Sequence, residues 1–311
     1  MIFIPAALRN TAIYGVKAMP GKFLPLQNVK TWLHQKSNAN NCVPTSEPLK
    51  EKDLKDVQDF IDKTKKLFVL TGAGLSTESG IPDWYNSTKT VGGSFSPRVF
   101  QKTDEISQQS WAEWMRLKVP KPNDVHKALT RWEERGKIEW LATQNVDGLH
   151  SKAGSKSVTE VNGSLLRAKC MSCKYYVTKR SDLQKRFTKL NPNFSLDMQE
   201  ENPVLLKEDM KKFTIPKCEN CKGILKPDIL FLGDNVEMSV ETFLLKSITN
   251  ADRIMILGTS LEYFSSNKYA KFAFECNKPI AIVNIGPTKA DHLATLKIDA
   301  KLGDVLPNLT V

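Results

Sequence analysis

The run Leu67 to Asp83, LFVLTGAGLSTESGIPD, constrains this chain more than any other stretch. Leu67 to Leu70 are apolar and partly β-branched, as suits a strand covered on both faces. Gly72 and Gly74 then allow a sharp turn and a close approach of backbone to ligand, while Ser76, Thr77 and Glu78 suit the first turn of a helix. Strand, glycine turn and helix start in this order aim free N–H groups at an anion, the arrangement that holds dinucleotide pyrophosphates. Gly-x-Gly after a strand is also an ordinary tight turn, so the glycines by themselves decide little. Ser79, Gly80, Ile81, Pro82 and Asp83 carry more weight, because they add a polar, then stiffened segment that the ordinary dinucleotide fingerprint lacks.

Further apolar runs that read as strands lie at Ile138 to Ala142, Ile229 to Leu232, Arg253 to Leu257 and Ile280 to Asn284. Helical patterns separate them: Lys52 to Lys66, a helix capped by Asn123 or Asp124 and running through Arg135, and Asn267 to Cys276. This alternation predicts an α/β fold, a Rossmann-like doubly wound parallel sheet, and 311 residues leave room for a smaller module beside it. Trp84 to Pro120 is irregular and reads as a flap over a ligand or as plain disorder. No apolar run is long enough to span a bilayer, so no membrane insertion is expected.

The net charge of +11 is unevenly spread: Met1 to Ser46 carries Arg9, Lys17, Lys22, Lys30 and Lys36 with no acid. Such an opening fits a mitochondrial transit peptide, hence a matrix location, or a disordered basic tail. Without a dense basic cluster or aromatic platform, nucleic acid is not an expected partner.

Thr143 to His150, TQNVDGLH, follows the Ile138 strand, where an open parallel sheet collects its ligands. Gln144, Asn145 and Asp147 supply the donors and acceptors that a nicotinamide amide and ribose hydroxyls need. The turns Gly258, Thr259, Ser260 and Asn284, Ile285, Gly286 end two later strands and can hold phosphates and the adenosine ribose. Four of the six cysteines form two C-x-x-C pairs, Cys170 with Cys173 and Cys218 with Cys221. Four thiolates so spaced suit a closed tetrahedral zinc with a structural role; two unrelated pairs are the alternative. His126, alone on its helix, reads as packed rather than catalytic.

From Leu67 to the C-terminus the chain resembles the sirtuins, NAD-dependent protein deacylases, through GAG-x-S-x-x-SGIPD, TQNVDGLH and the cysteine pairs. TQNVDGLHSKAGS, GILKPDILFLGDNV and VNIGPTKAD are similar to the class II mitochondrial branch typified by sirtuin-4. The resemblance implies NAD and zinc as cofactors and acyl-lysine proteins as substrates, with nicotinamide released and the acyl group passed to ADP-ribose. It implies an NAD site lined by Gly72, Ala73, Gly74, Asp83, Gln144, Asn145, Asp147, Gly258, Thr259, Ser260, Asn284, Gly286 and the backbone of Leu302. It also implies a division into a leader at residues 1–46, a first part of the Rossmann-like domain with its flap at 47–160, a zinc module at 161–228 and the remaining Rossmann-like part at 229–311.

Two positions depart from the family pattern. Where the family has a histidine that acts as general base on a ribose hydroxyl, this chain has Asn162, within Val161-Asn162-Gly163. An amide can orient a hydroxyl but has no basic lone pair near neutral pH, and losing a positioned base costs roughly 10²- to 10⁴-fold. Tyr85 stands where the family has an arginine that orders the flap and contacts the cofactor; it lacks the charge and the fork of donors. The expectation is a deacylase with weakened acyl transfer and residual ADP-ribosyl transfer, and the alternative is an NAD-sensing binding protein. A dehydrogenase has no use for the zinc module or the QNVD segment.

Overall fold

The computed structural model describes residues 43–81, 111, 114–115, 119–173, 176–192, 213–230, 235–262 and 264–311. Six strands form one parallel sheet: β1 (Leu67–Thr71), β2 (Ile138–Thr143), β3 (Val158–Glu160), β7 (Arg253–Leu257), β8 (Ile280–Val283) and β9 (Leu296–Ile298). Their order is β3-β2-β1-β7-β8-β9, so the sheet grows outward in both directions from the β1/β7 pair. That pair is the switch point, where the connections leaving the strand ends diverge and open a crevice.

Side-chain alternation along the strands divides the core into two layers. Leu67 and Val69 of β1, Met255 and Leu257 of β7, and Ala281 and Val283 of β8 face one layer. Helices α1 (Glu51–Asp62) and α2 (Asp124–Glu134) cover that layer with Val57, Ile61, Val125, Leu129 and Trp132. Phe68, Leu70, Ile254, Ile256, Ile280 and Ile282 face the other, against Leu244 and Ile248 of a helix at Met238–Asn250 and Ala270 and Ala273 of one at Phe264–Glu275. The strands are apolar on both sides because both sides are covered.

A second sheet is antiparallel, with β4 (Gly163–Cys170) between β5 (Val177–Lys179) and β6 (Leu225–Ile229). The run Ile229 to Leu232, expected as a strand of the large sheet, is therefore placed differently: the strand lies earlier and pairs with β4. Residues 231–234 lie outside the described residues. The stretch read as an irregular flap also holds helical residues, and Trp111, Trp114 and Met115 are buried in the small sheet's core with Leu183, Phe187 and Leu225. The Trp111 and Trp114 indoles donate to the carbonyl oxygens of Leu225 (3.0 Å) and Leu165 (2.8 Å), so these large side chains are buried with their polar atoms satisfied. Among the described residues no helix is long and apolar enough to cross a membrane.

Candidate active site

The glycine turn after β1 and the turn after β7 interlock at the switch point. Gly72 N–H donates to the Leu257 carbonyl at 3.0 Å and Gly74 N–H to that of Gly258 at 2.8 Å. A Cβ on Gly72 would lie 2.5 Å from Thr259 Cβ, and one on Gly258, whose φ is +60°, would lie 2.6 Å from Leu75 N. These glycines therefore serve the packing of two backbones against each other as well as any ligand. The helix expected over Ser76 to Glu78 is replaced by two short 3-10 turns, Ala73–Leu75 and Thr77–Ser79. Gly80, at φ 85°, ends the second turn, and Ile81 precedes a proline, which disfavours further helix.

TQNVDGLH runs beside this turn. Asn145 Nδ2 donates to the Gly72 carbonyl and to Ser76 Oγ, both at 3.0 Å, and Ser76 Oγ–H donates to Asp147 Oδ2 at 2.7 Å. Asp147 Oδ1 accepts the Leu149 N–H at 2.9 Å. Burial raises the Asp147 pKa above the ordinary carboxylate value, and these donors only partly offset it. Gln144 lies against Thr259, with its Nε2 3.3 Å from the threonine hydroxyl.

Asn162 sits where the two sheets meet. Its Nδ2 donates to the Gln144 carbonyl at 2.8 Å, and its own carbonyl accepts the Leu230 N–H at 2.8 Å. This bond holds the amide against the loop after β2 and uses one of the two Nδ2 N–H groups, with Oδ1 as the amide's acceptor.

Ser260, Asn284, Gly286 and Leu302 lie along the same edge. Asn284 is buried and its Nδ2 donates to the carbonyls of Ile285 (2.8 Å) and Gly286 (3.3 Å). Leu302 begins the last helix (Leu302–Val305), and its Cδ1 would stand 3.1 Å from a Cβ on Gly258. The structure thus gathers the expected site residues from Gly72 to Leu302 at one edge of the large sheet, apart from Asp83 and Tyr85, which lie outside the described residues. The interlocked turns form a glycine cradle, and the amides, carboxylate and hydroxyls beside it are a donor and acceptor set that fits NAD.

Three long-range contacts that support this edge were not anticipated from the sequence, although Asn123 as a cap and His126 as a packed residue were. Glu78, half-buried with its pKa raised by burial, accepts the Gly303 N–H at 2.9 Å and ties the turn to the last helix. Asn123 caps α2 through the N–H groups of Val125 (3.1 Å) and His126 (3.2 Å) and also donates to the Leu75 carbonyl at 2.8 Å. His126 and His150 are buried side by side with ring centroids 4.9 Å apart. His150 Nε2 lies 3.0 Å from Thr71 Oγ1 at the end of β1. Burial lowers His126 to about 4; burial, aided by His126, lowers His150 to about 3. The Asn123 bond to Leu75 and the His150 contact with Thr71 could not be read locally, because those partners are distant in sequence.

The four cysteines converge. Cys170 Sγ is 3.4 Å from Cys221 Sγ, Cys173 Sγ is 3.8 Å from Cys218 Sγ, and all four lie within 4.8 Å of one another. A tetrahedral zinc with bonds of about 2.3 Å sets its sulfurs about 3.8 Å apart, so this group fits one ion and leaves no vertex for water. Burial opposes ionisation of Cys170, but the N–H groups of Cys173 and Ser172 and the thiols of Cys221 and Cys173 together outweigh it and bring the thiol to about 6.

A family model described as the Sir2 family matches residues 72–265. Sirtuin-4 of Bos taurus, described as a mitochondrial NAD-dependent protein lipoamidase, is 40% identical over 85% of this chain and 88% of its own length. The human protein of the same description is 40% identical over 88% of this chain and 90% of its own. Caenorhabditis elegans sir-2.2, an NAD-dependent protein deacylase, is 40% identical over 87% of this chain and all of its own. Among solved structures, one described as Sir2 bound to acetylated peptide has a TM-score of 0.64 at 28% identity and covers 81% of this chain and 94% of its own.

Proposed function

Because this chain belongs to the Sir2 family, the sirtuins, we propose that it is an NAD-dependent protein-lysine deacylase of the mitochondrial sirtuin-4 type. Members of the family use NAD, and the four cysteines here can hold zinc. The observation that carries the proposal is Asn145, whose amide joins the Gly72 carbonyl to the Ser76–Asp147 pair at the switch point. NAD, when bound, supplies a cleavable nicotinamide and an ADP-ribose acceptor for the acyl group. Gln144, Asn145 and Asp147 orient its amide and ribose, and the interlocked glycine turns receive its phosphates. Resemblance to the family assigns Asp83 and Tyr85, which lie outside the described residues, to NAD binding as well. The cysteine group, closed on four sulfurs, holds the small sheet in register and takes no part in proton transfer.

Two features support mitochondrial localisation: the sirtuin-4 relatives are described as mitochondrial, and the first 46 residues contain no acid. The relatives' descriptions favour acyl-lysine proteins as substrates, and two solved neighbours are described as Sir2 proteins bound to acetylated or propionylated peptides.

Asn162 carries the second reading, an NAD-binding protein impaired in acyl transfer. One N–H of its Nδ2 goes to the Gln144 carbonyl, and Oδ1 can accept a ribose hydroxyl's hydrogen bond without removing the proton. The test is NAD-dependent product formation on a panel of acyl-lysine peptides by the native chain and by Asn162→His, with nicotinamide exchange recorded in the same samples. The expected result is exchange by both and acyl transfer faster in the variant by about 10²-fold or more. Equal turnover would remove Asn162 as the limiting residue. Absence of both reactions in both proteins would favour the binding-protein reading.

A further inference from the structure

We propose that Glu78 is a positioning residue for the adenosine half of NAD, acting by holding the last helix, Leu302–Val305, against the glycine turns; this rests on the NAD reading above. The helix follows β9, the edge strand of the large sheet, yet it returns to the switch point, where Leu302 is buried against the Gly258 turn. Lys301 before it supplies no side-chain cap. The Asp304 N–H reaches the Lys301 carbonyl at 3.2 Å, whereas the Gly303 N–H, in a first turn that has no intrahelical acceptor, goes to Glu78 Oε1 at 2.9 Å. The cap of this helix is thus a side chain 225 residues earlier in the chain.

Glu78 is itself fixed. Its turn, Thr77–Ser79, is tied to the glycine turn by Thr77 Oγ1–H on the Gly74 carbonyl at 2.8 Å and continues from it through the Ser79 N–H on the Ser76 carbonyl at 3.0 Å. The fit at Gly303 is close, because a Cβ there would overlap Glu78 Oε2. Burial raises the Glu78 pKa, so an uncharged acceptor in the same place can serve the same bond. The strand order assigns the two halves of the dinucleotide. The loop after β2, on one side of the switch point, carries Gln144, Asn145 and Asp147 for the nicotinamide end, and the β1 and β7 turns between take the phosphates. The adenosine half then extends to the other side, toward β8, β9 and the Leu302 backbone. A four-residue helix does not hold itself, so without Glu78 its first turn shifts and the adenosine contacts weaken, while the β2 loop keeps its own bonds.

The experiment is calorimetric titration of NAD and of ADP-ribose into the full chain and its Glu78→Ala, Glu78→Gln and Gly303→Ala variants, with nicotinamide exchange measured on an acyl-lysine peptide. Glu78→Ala should weaken both ligands about tenfold and raise the NAD KM of exchange by the same factor, with kcat held to within about twofold. Glu78→Gln should recover most of that loss, which a general failure to fold would not allow. Gly303→Ala, which displaces the carboxyl, should also cost about tenfold, and the two alanines together should bind no more weakly than either alone. Native affinity in Glu78→Ala would overturn the proposal, as would Glu78→Gln binding no better than Glu78→Ala, or a fall in kcat at unchanged KM; each of these leaves the NAD reading in place. Failure of the native chain to bind NAD would overturn both.

Discussion

The two sheets of this protein hold together by different means. The large sheet is covered on both faces, its strands alternate into two apolar layers, and its stability is spread over many side chains. The small sheet has one apolar cluster, built around Trp111, Trp114 and Phe187, with the cysteine group at its end. Distributed burial tolerates the loss of any one group, whereas a sheet closed by a single ion depends on that ion. The edge that carries the candidate site belongs mainly to the first sheet, and Asn162 and Gly163 connect it to the second.

The largest effect predicted from this contrast is on metal removal. Stripping zinc with a chelator, or making Cys218→Ser, should unfold the small sheet, since structural zinc contributes on the order of 10 kcal/mol to such modules. Two separate thermal transitions, with the lower one sensitive to zinc, would sharpen the comparison. A single transition indifferent to zinc would break it.

A smaller effect should come from acid acting on the large sheet. Both His126 and His150 have folded pKa values below their ordinary 6.5, at about 4 and about 3. Their contribution is complete above pH 6.5 and falls as the pH drops from there toward 4, because the unfolded chain takes up protons that the folded chain refuses. The slope is about 1.4 kcal/mol per pH unit for each ring. Urea unfolding at pH 7 and pH 5 should show the loss, and a His126→Asn variant should show a shallower dependence. A flat profile would mean that the pair is not held neutral.

The smallest predicted effect lies at the join. Arg167 of β4 pairs with Glu160 at the end of β3 (2.6 Å) and with Asp228 of β6 (3.1 Å), so one side chain spans both sheets. Glu160 is the more buried partner, at 11% side-chain exposure, and Arg167→Met would leave its charge unanswered. A cost of about 1 to 2 kcal/mol is expected, bringing the two thermal transitions further apart. An unchanged melt would show that the sheets are coupled elsewhere.

Much of this architecture is readable from local pattern. LFVL predicts a strand buried on both faces, and Phe68 and Leu70 do face one layer while Leu67 and Val69 face the other. Asn123 before an amphipathic run predicts an N-cap and is one. The two C-x-x-C pairs predict a four-sulfur cluster, which forms. Other elements escaped the same reasoning. Leu225–Ile229, LKPDI, contains a proline and two charges and looks like a loop, yet it pairs with β4 because it is an edge strand, where a missing N–H is tolerated. Trp111 and Trp114 lie in a stretch with little periodicity, and their burial depends on a sheet formed by residues far later in the chain.

From its residues alone this chain specifies a parallel α/β fold, a glycine turn, a polar QNVD loop and a sulfur cluster, because each depends on residue types at short, fixed spacing. Folding in three dimensions settles which groups meet: Gly74 against Gly258, Asn162 on the Gln144 carbonyl, His126 beside His150, and Glu78 on the Gly303 N–H. The physical reason is that propensity and periodicity act over a few residues, whereas these contacts join positions brought together by the order of the strands.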